Sequence, residues 1–278
     1  MCRGCLGEDP DHKVVRLADM RPRSFSRRDL LRRCAAAPLA RFDRPVPNTK
    51  VELLFRSPDG HPNGLEATPA GLWVGEQTTD AACLLDWNNG KLLRRVETES
   101  SNTSGIAFGG GFLWMAANGR AVGRAPRPHD ATSGEIVKVD PATGRTAARL
   151  PVPGGGGVHG LLWAQDSLWV TTLRRRSLTR IDATGKVLHE IPVTLDRAHG
   201  LGWDGTALWC MFSNDRVIHR LDPRDGAVLE VLRLAADDPD PHGMEWYQGS
   251  IYYSDAGIAP GGGSNASKFA GYICRIRL

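Results

Sequence analysis

Five pairs of residues in this chain are separated by one and the same distance. Gly64 and Trp73, Gly105 and Trp114, Gly160 and Trp169, Gly200 and Trp209, and Gly243 and Tyr252 each stand nine residues apart, and the aromatic always follows Leu or Ile. Chance does not give five equal spacings. Self-similarity at a fixed period marks a repeat architecture, in which a unit too small to bury its own apolar face must stack on its neighbours. The Gly-to-Gly intervals of 41, 55, 40 and 43 residues set the size of that unit.

Each unit reads as short strands separated by turn chemistry. The nine-residue spacing holds a strand, a tight turn and a second strand. A third ends at Leu85-Asp86, Val139-Asp140, Ile181-Asp182 and Leu221-Asp222, followed by a glycine at 90, 144, 185 and 226. A fourth runs over Leu92–Val96, Thr146–Leu150, Val187–Ile191 and Val228–Leu232. Four antiparallel strands per ~40 residues describe a β-propeller blade. The fifth unit stops after its third strand, Tyr272–Ile276, and Val51–Phe55 is an orphan strand ahead of the first. Pairing the two closes the ring and removes an unpaired edge. The expectation is an all-β, five-bladed propeller over residues 46–278 with its last blade shared between the termini. A six-bladed ring would need another unit within 1–50, where none is found.

Charge excludes one class of partner. The chain of 278 residues carries 35 basic and 31 acidic side chains, a formal +4. Residues 1–50 alone hold 12 Lys/Arg against 6 Asp/Glu, which leaves the remainder slightly acidic and without the footprint of a phosphate-backbone binder. No apolar run is long enough to cross a bilayer. Residues 1–45 read as a basic leader or disordered segment. Ser26-Arg27-Arg28-Asp29-Leu30-Leu31-Arg32 resembles a twin-arginine export motif, although its apolar run is short. Both a cytoplasmic and a periplasmic location stay open, and the expected state is a monomer. Among the six cysteines, Cys2 and Cys5 form a C-x2-C pair with no second pair to complete a zinc site. Cys83, Cys210 and Cys274 lie in apolar strands and read as buried thiols.

Chemistry concentrates at one repeat position. In a propeller the innermost strands start at the rim of the axis, so the residues before the repeat glycines converge there: Asn63, Ser104, His159, His199 and His242. Three imidazoles facing one cavity suit a divalent cation (Mg, Ca or Zn) or acid/base work. The alternative is that they hydrogen-bond neighbouring backbone and merely line the channel. The residue three after each aromatic is acidic only in the first and last units, Glu76 and Asp255, which become neighbours when the ring closes. Either acid would complete a coordination sphere or act as base. Glu66 and Glu245, two residues after their glycines, would contribute from below. Insertions at about 118–133 and 256–270 are expected to overhang the histidines.

The unit His-Gly-Leu, followed at constant distance by Leu-Trp and a strand ending in Ile/Leu-Asp, resembles the repeat of the virginiamycin B lyase family. More loosely, it resembles that of gluconolactonase-like propellers. The likeness covers residues 61–278. It implies a histidine element at Pro241-His242-Gly243-Met244, a glutamate element at Leu72-Trp73-Val74-Gly75-Glu76, and magnesium in the site, with Asp255 as a shorter acid. That family is seven-bladed, so its substrate geometry does not transfer. Five-bladed plant-type glutaminyl cyclases are another comparison, but their glutamate-centred motifs are absent here. The resemblance implies a metal-dependent lyase or lactonase acting on a small cyclic ester at the channel mouth, with His242, Glu76 and Asp255 as catalytic residues. Asn63, Glu66, Glu245 and Ser104 would bind and His159, His199 and His242 would hold the metal. The rival reading is a non-catalytic propeller that binds a ligand or a protein there.

Overall fold

A computed structural model describes residues 50–257 and 266–278. The expected leader and the glycine-rich part of the second insertion lie outside the described residues. Strand β1 (Val51–Arg56) is followed by blade 1, formed by β2 (Pro62–Thr68), β3 (Gly71–Glu76), β4 (Ala82–Leu85) and β5 (Leu92–Val96). Blade 2 holds β6 (Thr103–Gly109), β7 (Phe112–Asn118), β8 (Gly134–Val139) and β9 (Thr146–Pro151). Blade 3 holds β10 (Val158–Ala164), β11 (Ser167–Thr172), β12 (Ser177–Ile181) and β13 (Val187–Pro192). Blade 4 holds β14 (Ala198–Trp203), β15 (Leu208–Phe212), β16 (Val217–Leu221) and β17 (Val228–Arg233). Blade 5 holds β18 (Met244–Tyr247), β19 (Ser250–Ser254) and β20 (Tyr272–Arg277), and takes β1 as its outer strand. The fold is a five-bladed β-propeller of five four-stranded antiparallel sheets. Among the described residues no helix is long and apolar enough to cross a membrane.

Closure follows the anticipated pairing. Val51 faces Ile276 and Arg56 faces Tyr272 across an antiparallel ladder. Glu52 accepts from Arg275 and Arg277, which holds its carboxyl down at about 2. Both edges that a free β1 and β20 would expose are thereby covered.

The Leu/Val/Ile-Asp element ends the third strand for a local reason. The aliphatic residue is buried at 85, 139, 181 and 221, while the Asp carboxylate turns back onto a backbone N–H two residues on, at Asn88, Ala142, Thr184 and Arg224. The turn closes at a glycine whose φ is positive, +70° at Gly90 and +76° at Gly226, where a side chain would be strained.

The core is divided among the blade contacts. Five apolar clusters each draw on two adjacent blades, and the last joins Leu65, Leu72 and Val74 of blade 1 to Tyr252 and Ile273 of blade 5. The repeat aromatics Trp73, Trp114, Trp169, Trp209 and Tyr252 are all buried in these layers. Each contributes roughly 2–3 kcal/mol through apolar area removed from water. Cys83, Cys210 and Cys274 are free and buried, as expected.

At the axis the repeat glycines close the channel. A Cβ on Gly64 would lie 2.6 Å from the Gly105 Cα, and one on Gly243 would lie 2.8 Å from the Gly64 Cα. Cβ atoms on Gly105, Gly160 and Gly200 would press closer still on the His159 carbonyl, the His199 carbonyl and the Met244 amide. The spacing that defines the repeat therefore marks where backbones of successive blades touch. No water-sized space remains along this stretch of the axis.

Candidate functional site

The strand pairing breaks register at the residues just ahead of these glycines. Bulges interrupt β2/β3, β6/β7, β10/β11 and β14/β15 at that position. A bulge re-aims the side chain that precedes the glycine. In blades 1 and 2 the result is a stitch between blades. Asn63 Nδ2 donates to the Thr103 carbonyl (3.4 Å), and Ser104 Oγ donates to the Val158 carbonyl (2.6 Å).

Blades 3, 4 and 5 carry histidine there, and the rings meet one another instead. His159 and His199 stack with centroids 4.3 Å apart and planes 27° apart. His242 meets His199 edge to face at 5.3 Å. His159 also lines a cavity of about 350 Å³ between blades 3 and 4. His199 is wholly buried behind it, and His242 lies beyond, with Nδ1 3.3 Å from the Asp240 carbonyl oxygen and 3.4 Å from the Ala256 amide. Asp240 lines a second, larger cavity of about 780 Å³. A row of imidazoles thus runs from one opening to the wall of the next.

Electrostatics keep that row neutral. Burial, with the charge of Arg197, pushes His159 down to about 3 and His242 to about 4. Burial and the two neighbouring rings push His199 well below the ordinary histidine value. His159 Nδ1 and both nitrogens of His199 are buried without a hydrogen-bond partner. Orphaned buried polar atoms cost about 1–3 kcal/mol each and call for a ligand, an ion or water.

The two acids do not join the row as open ligands. Glu76 accepts the amides of Asp59 and His61 on separate oxygens. Burial raises its carboxyl to about 7. Asp255 lies closer to the histidines, next to Ala256, but its oxygens accept from the Asp240 amide, the Gly257 amide and Ser267 Oγ. Glu76 thereby pins the loop that enters blade 1, and Asp255 ties the loop entering blade 5 to Gly257 and Ser267 beyond β19. Among the described residues, one set of three potential ligands, Asp59, Glu76 and Cys83, has its donor atoms within 4.8 Å of one another. Arg95 already occupies that set, with Nη1 2.7 Å from Asp59 Oδ2 and 3.7 Å from Cys83 Sγ.

Glu66 and Glu245 lie on the other side of the glycine ring from the histidines. Both are buried, with Glu66 Oε2 lacking a hydrogen-bond partner, and burial together with repulsion from Glu245 lifts Glu66 well above the carboxylate range. Burial raises Glu245 to about 8. A carboxyl pair that keeps a proton at neutral pH is the consequence.

The insertions correct an expectation. Of residues 118–133, Asn118 reaches blade 3, its Oδ1 accepting the Val158 amide next to His159, while the segment around 123–131 folds over the boundary of blades 1 and 2. Arg124 Nε sits 2.7 Å from the buried Asp80 carboxylate, its Nη groups hold Asp130, and Ala131 donates to Ser101 Oγ. Gly123 packs on Thr78. Of the second insertion, residues 266–269 line the larger cavity. Arg197 was not signalled by the repeat, because it stands three residues before a glycine where the other units carry unrelated residues. Its place two residues before His199 is the one hint the sequence offers.

No protein-family model matches the chain, and no curated protein matches it. Solved structures do. A glutaminyl cyclase from Myxococcus xanthus aligns at a TM-score of 0.60 and 13% identity, covering 82% of this chain and 96% of that one. The virginiamycin B lyase from Staphylococcus aureus aligns at a TM-score of 0.46 and 19% identity, covering 81% and 68%. A streptogramin B lyase aligns at a TM-score of 0.48 and 16% identity, covering 82% and 97%. At these identities the likeness is one of fold.

Proposed function

We propose that the histidine pole is the active site of a small-molecule enzyme that opens a cyclic ester by proton transfer, with His159 as the group that faces the ligand. The observation that carries this reading is the imidazole row itself, three buried neutral rings in contact with nitrogens left unpartnered beside an open cavity. A neutral imidazole can accept a proton from a C–H or from water, and only a neutral one can. His159 would take that proton from carbon as the ester C–O bond breaks and its electrons leave as a carboxylate. The negative charge of the ligand would offset the burial and the Arg197 field that otherwise keep this ring a weak base. His199 would hold the His159 ring by stacking, and His242 would be set by the Asp240 carbonyl. Asn63 and Ser104, tied to neighbouring carbonyls, would keep the remainder of the rim closed.

A zinc-bound form is the second reading, favoured by the two orphaned nitrogens of His199. An all-nitrogen donor set suits zinc, whereas magnesium and calcium need oxygen ligands, and the oxygens of Glu76 and Asp255 are engaged elsewhere. His159, His199 and His242 would hold the ion after a rotation of the stacked rings. Bound there, it would polarise a carbonyl as a Lewis acid.

The experiment is turnover by the purified protein on a panel of lactones and cyclic depsipeptides, with peptides bearing N-terminal glutamine included because one fold relative is a glutaminyl cyclase. Each substrate is run with added zinc and with chelator. Ring opening that falls at least about 100-fold in His159→Asn is the expected result. Chelator-insensitive activity favours proton transfer alone, and zinc dependence favours the second reading. Cyclisation of glutamine peptides without ring opening overturns the ester assignment, and no turnover of any substrate under either condition overturns the enzymatic reading in favour of a binding propeller.

A further inference from the structure

Arg197 stands between two cavities with no side chain paired directly with its charge among the described residues. It lines both the cavity of about 350 Å³ that His159 reaches and the larger one beyond it. The other arginines that line these cavities are taken. Arg176 pairs with Asp196 at 3.0 Å and donates to the Thr194 carbonyl, while Arg216 pairs with Asp240 at 3.1 Å and donates to three carbonyls. Lys268 lies over the Phe269 ring. Among the described residues the Arg197 guanidinium has neither an ion pair nor a hydrogen bond, yet its field reaches all three imidazoles and, more weakly than that of Arg216, the Asp240 carboxylate.

Its backbone is also held at cost. Arg197 adopts φ +51°, a left-handed conformation that disfavours any residue with a side chain, and the Ser213 amide locks it there by donating to its carbonyl. Asn102, the equivalent residue of blade 2, has the same left-handed backbone and the same capped carbonyl, so the bend belongs to the repeat. What points to a ligand here is the set of unpartnered polar atoms beside the guanidinium. Those atoms lie on both sides: His159 Nδ1 beside the smaller cavity, and Ser213 Oγ beside the larger.

We infer that Arg197 is the anchor for a carboxylate on the ligand, and that the ligand's apolar body lies in the smaller cavity. This rests on the histidine pole being the ligand site and adds the class of ligand it accepts. Guanidinium recognises carboxylate through paired N–H donors in a plane, a geometry that a lone neutral partner does not use fully. Leu173, Val193, Leu195 and Ala198 give the smaller cavity an apolar wall, and its one carboxylate, Asp196, is paired with Arg176. The larger cavity carries Asp237 and Asp238 besides the Arg216-paired Asp240, an acidic excess that repels an anion. The anion therefore belongs on the Arg197 edge of the smaller cavity, with its body against the leucines and His159 within reach of it.

Phenylacetate and its neutral isostere phenylacetamide test this on the whole protein. Binding is followed through the ring proton signals of His159 and His199. Wild type should bind phenylacetate at least about tenfold more tightly than phenylacetamide, and Arg197→Gln should reduce that preference below about twofold, with Arg197→Lys between. Arg197→Gly relieves the left-handed strain, so it should lose the preference while melting no lower than wild type. Equal affinity for the two probes, no saturable shift with either, or a preference that survives both Gln and Gly overturns the proposal. The readout needs no turnover. Loss of charge preference with ring opening intact removes only the carboxylate anchor, and an intact preference without ring opening removes only the enzymatic reading.

Discussion

The imidazole of His159 lies face to face with that of His199, centroids 4.3 Å apart, and neither ring has a hydrogen-bond partner at Nδ1. Two cations could not be held so closely in a site from which water is excluded. The pair is therefore stable only while neutral, and the third ring shares the constraint.

Acid should destabilise the fold through these rings. His242 falls from 6.5 in the unfolded chain to about 4 when buried. A depressed histidine adds stability that is complete above pH 6.5 and is lost as pH falls through the folded value, a difference on the order of 3 kcal/mol. Glu76, raised to about 7, works in the opposite sense over part of that range. The quantity to read is the difference between wild type and His242→Asn in denaturant unfolding at pH 7 and pH 4. The wild type should lose more on acidification, and parallel losses would contradict neutral burial.

The glycine ring makes a steric prediction. Gly160→Ala places a Cβ against the His199 carbonyl inside van der Waals contact. Overpacking against a backbone that cannot yield should cost about 3 kcal/mol or prevent folding. Gly205→Ala is the contrast, since nothing lies within 4 Å of its Cβ and only its φ of +95° opposes a side chain. That substitution should cost about 1 kcal/mol in urea unfolding.

The same spacing explains why the fold was legible in the sequence. A hairpin whose first strand must begin with glycine at the axis, and whose second must bury an aromatic between blades, fixes the interval from Gly64 to Trp73 and repeats it in every unit. Closure was legible as well, because an orphan strand at Val51 and a missing one after Arg277 have one economical solution. The site was legible in part. The position before the glycine was visible, but whether its side chain stitches to the next blade, as Ser104 does, or stacks on another ring, as His199 does, depends on contacts between units that no local pattern encodes. The anchor of the first insertion was hidden for the same reason. Arg124 meets Asp80 across a blade boundary.

That ion pair is itself testable. Arg124 and Asp80 are 13% and 0% exposed at their side chains. Removing the cation strands a buried carboxylate, so Arg124→Ala should cost about 3 kcal/mol or more in denaturant unfolding. The histidine proton signals should stay in place, because the insertion folds over blades 1 and 2. A shift of the His159 signal would show that the loop reaches the histidines after all.

Alkali should loosen the seam between blades 1 and 5. Glu245 is raised to about 8, so its protonated partnership with Glu66 contributes stability that is complete below pH 4.5 and is lost as pH rises through 8. Glu66→Gln keeps a hydrogen-bonding side chain and removes one charge. It should melt about 3 °C or more above wild type at pH 9, and no higher at pH 5. Equal melting of the two proteins at both pH values would mean that the carboxyls do not share a proton.

Side-chain nitrogen NMR of the histidines, assigned by single substitutions and followed from pH 8 to pH 4.5, settles whether the imidazole row exists in the form on which site and ligand both depend. His159, His199 and His242 should keep the split nitrogen shifts of neutral rings at pH 7, with no titration above pH 5. Their signals alone among the eight histidines should move together when phenylacetate is added. Ordinary titration near pH 6.5 for any of the three would contradict a buried neutral row, and with it the assignment of this pole as the functional site.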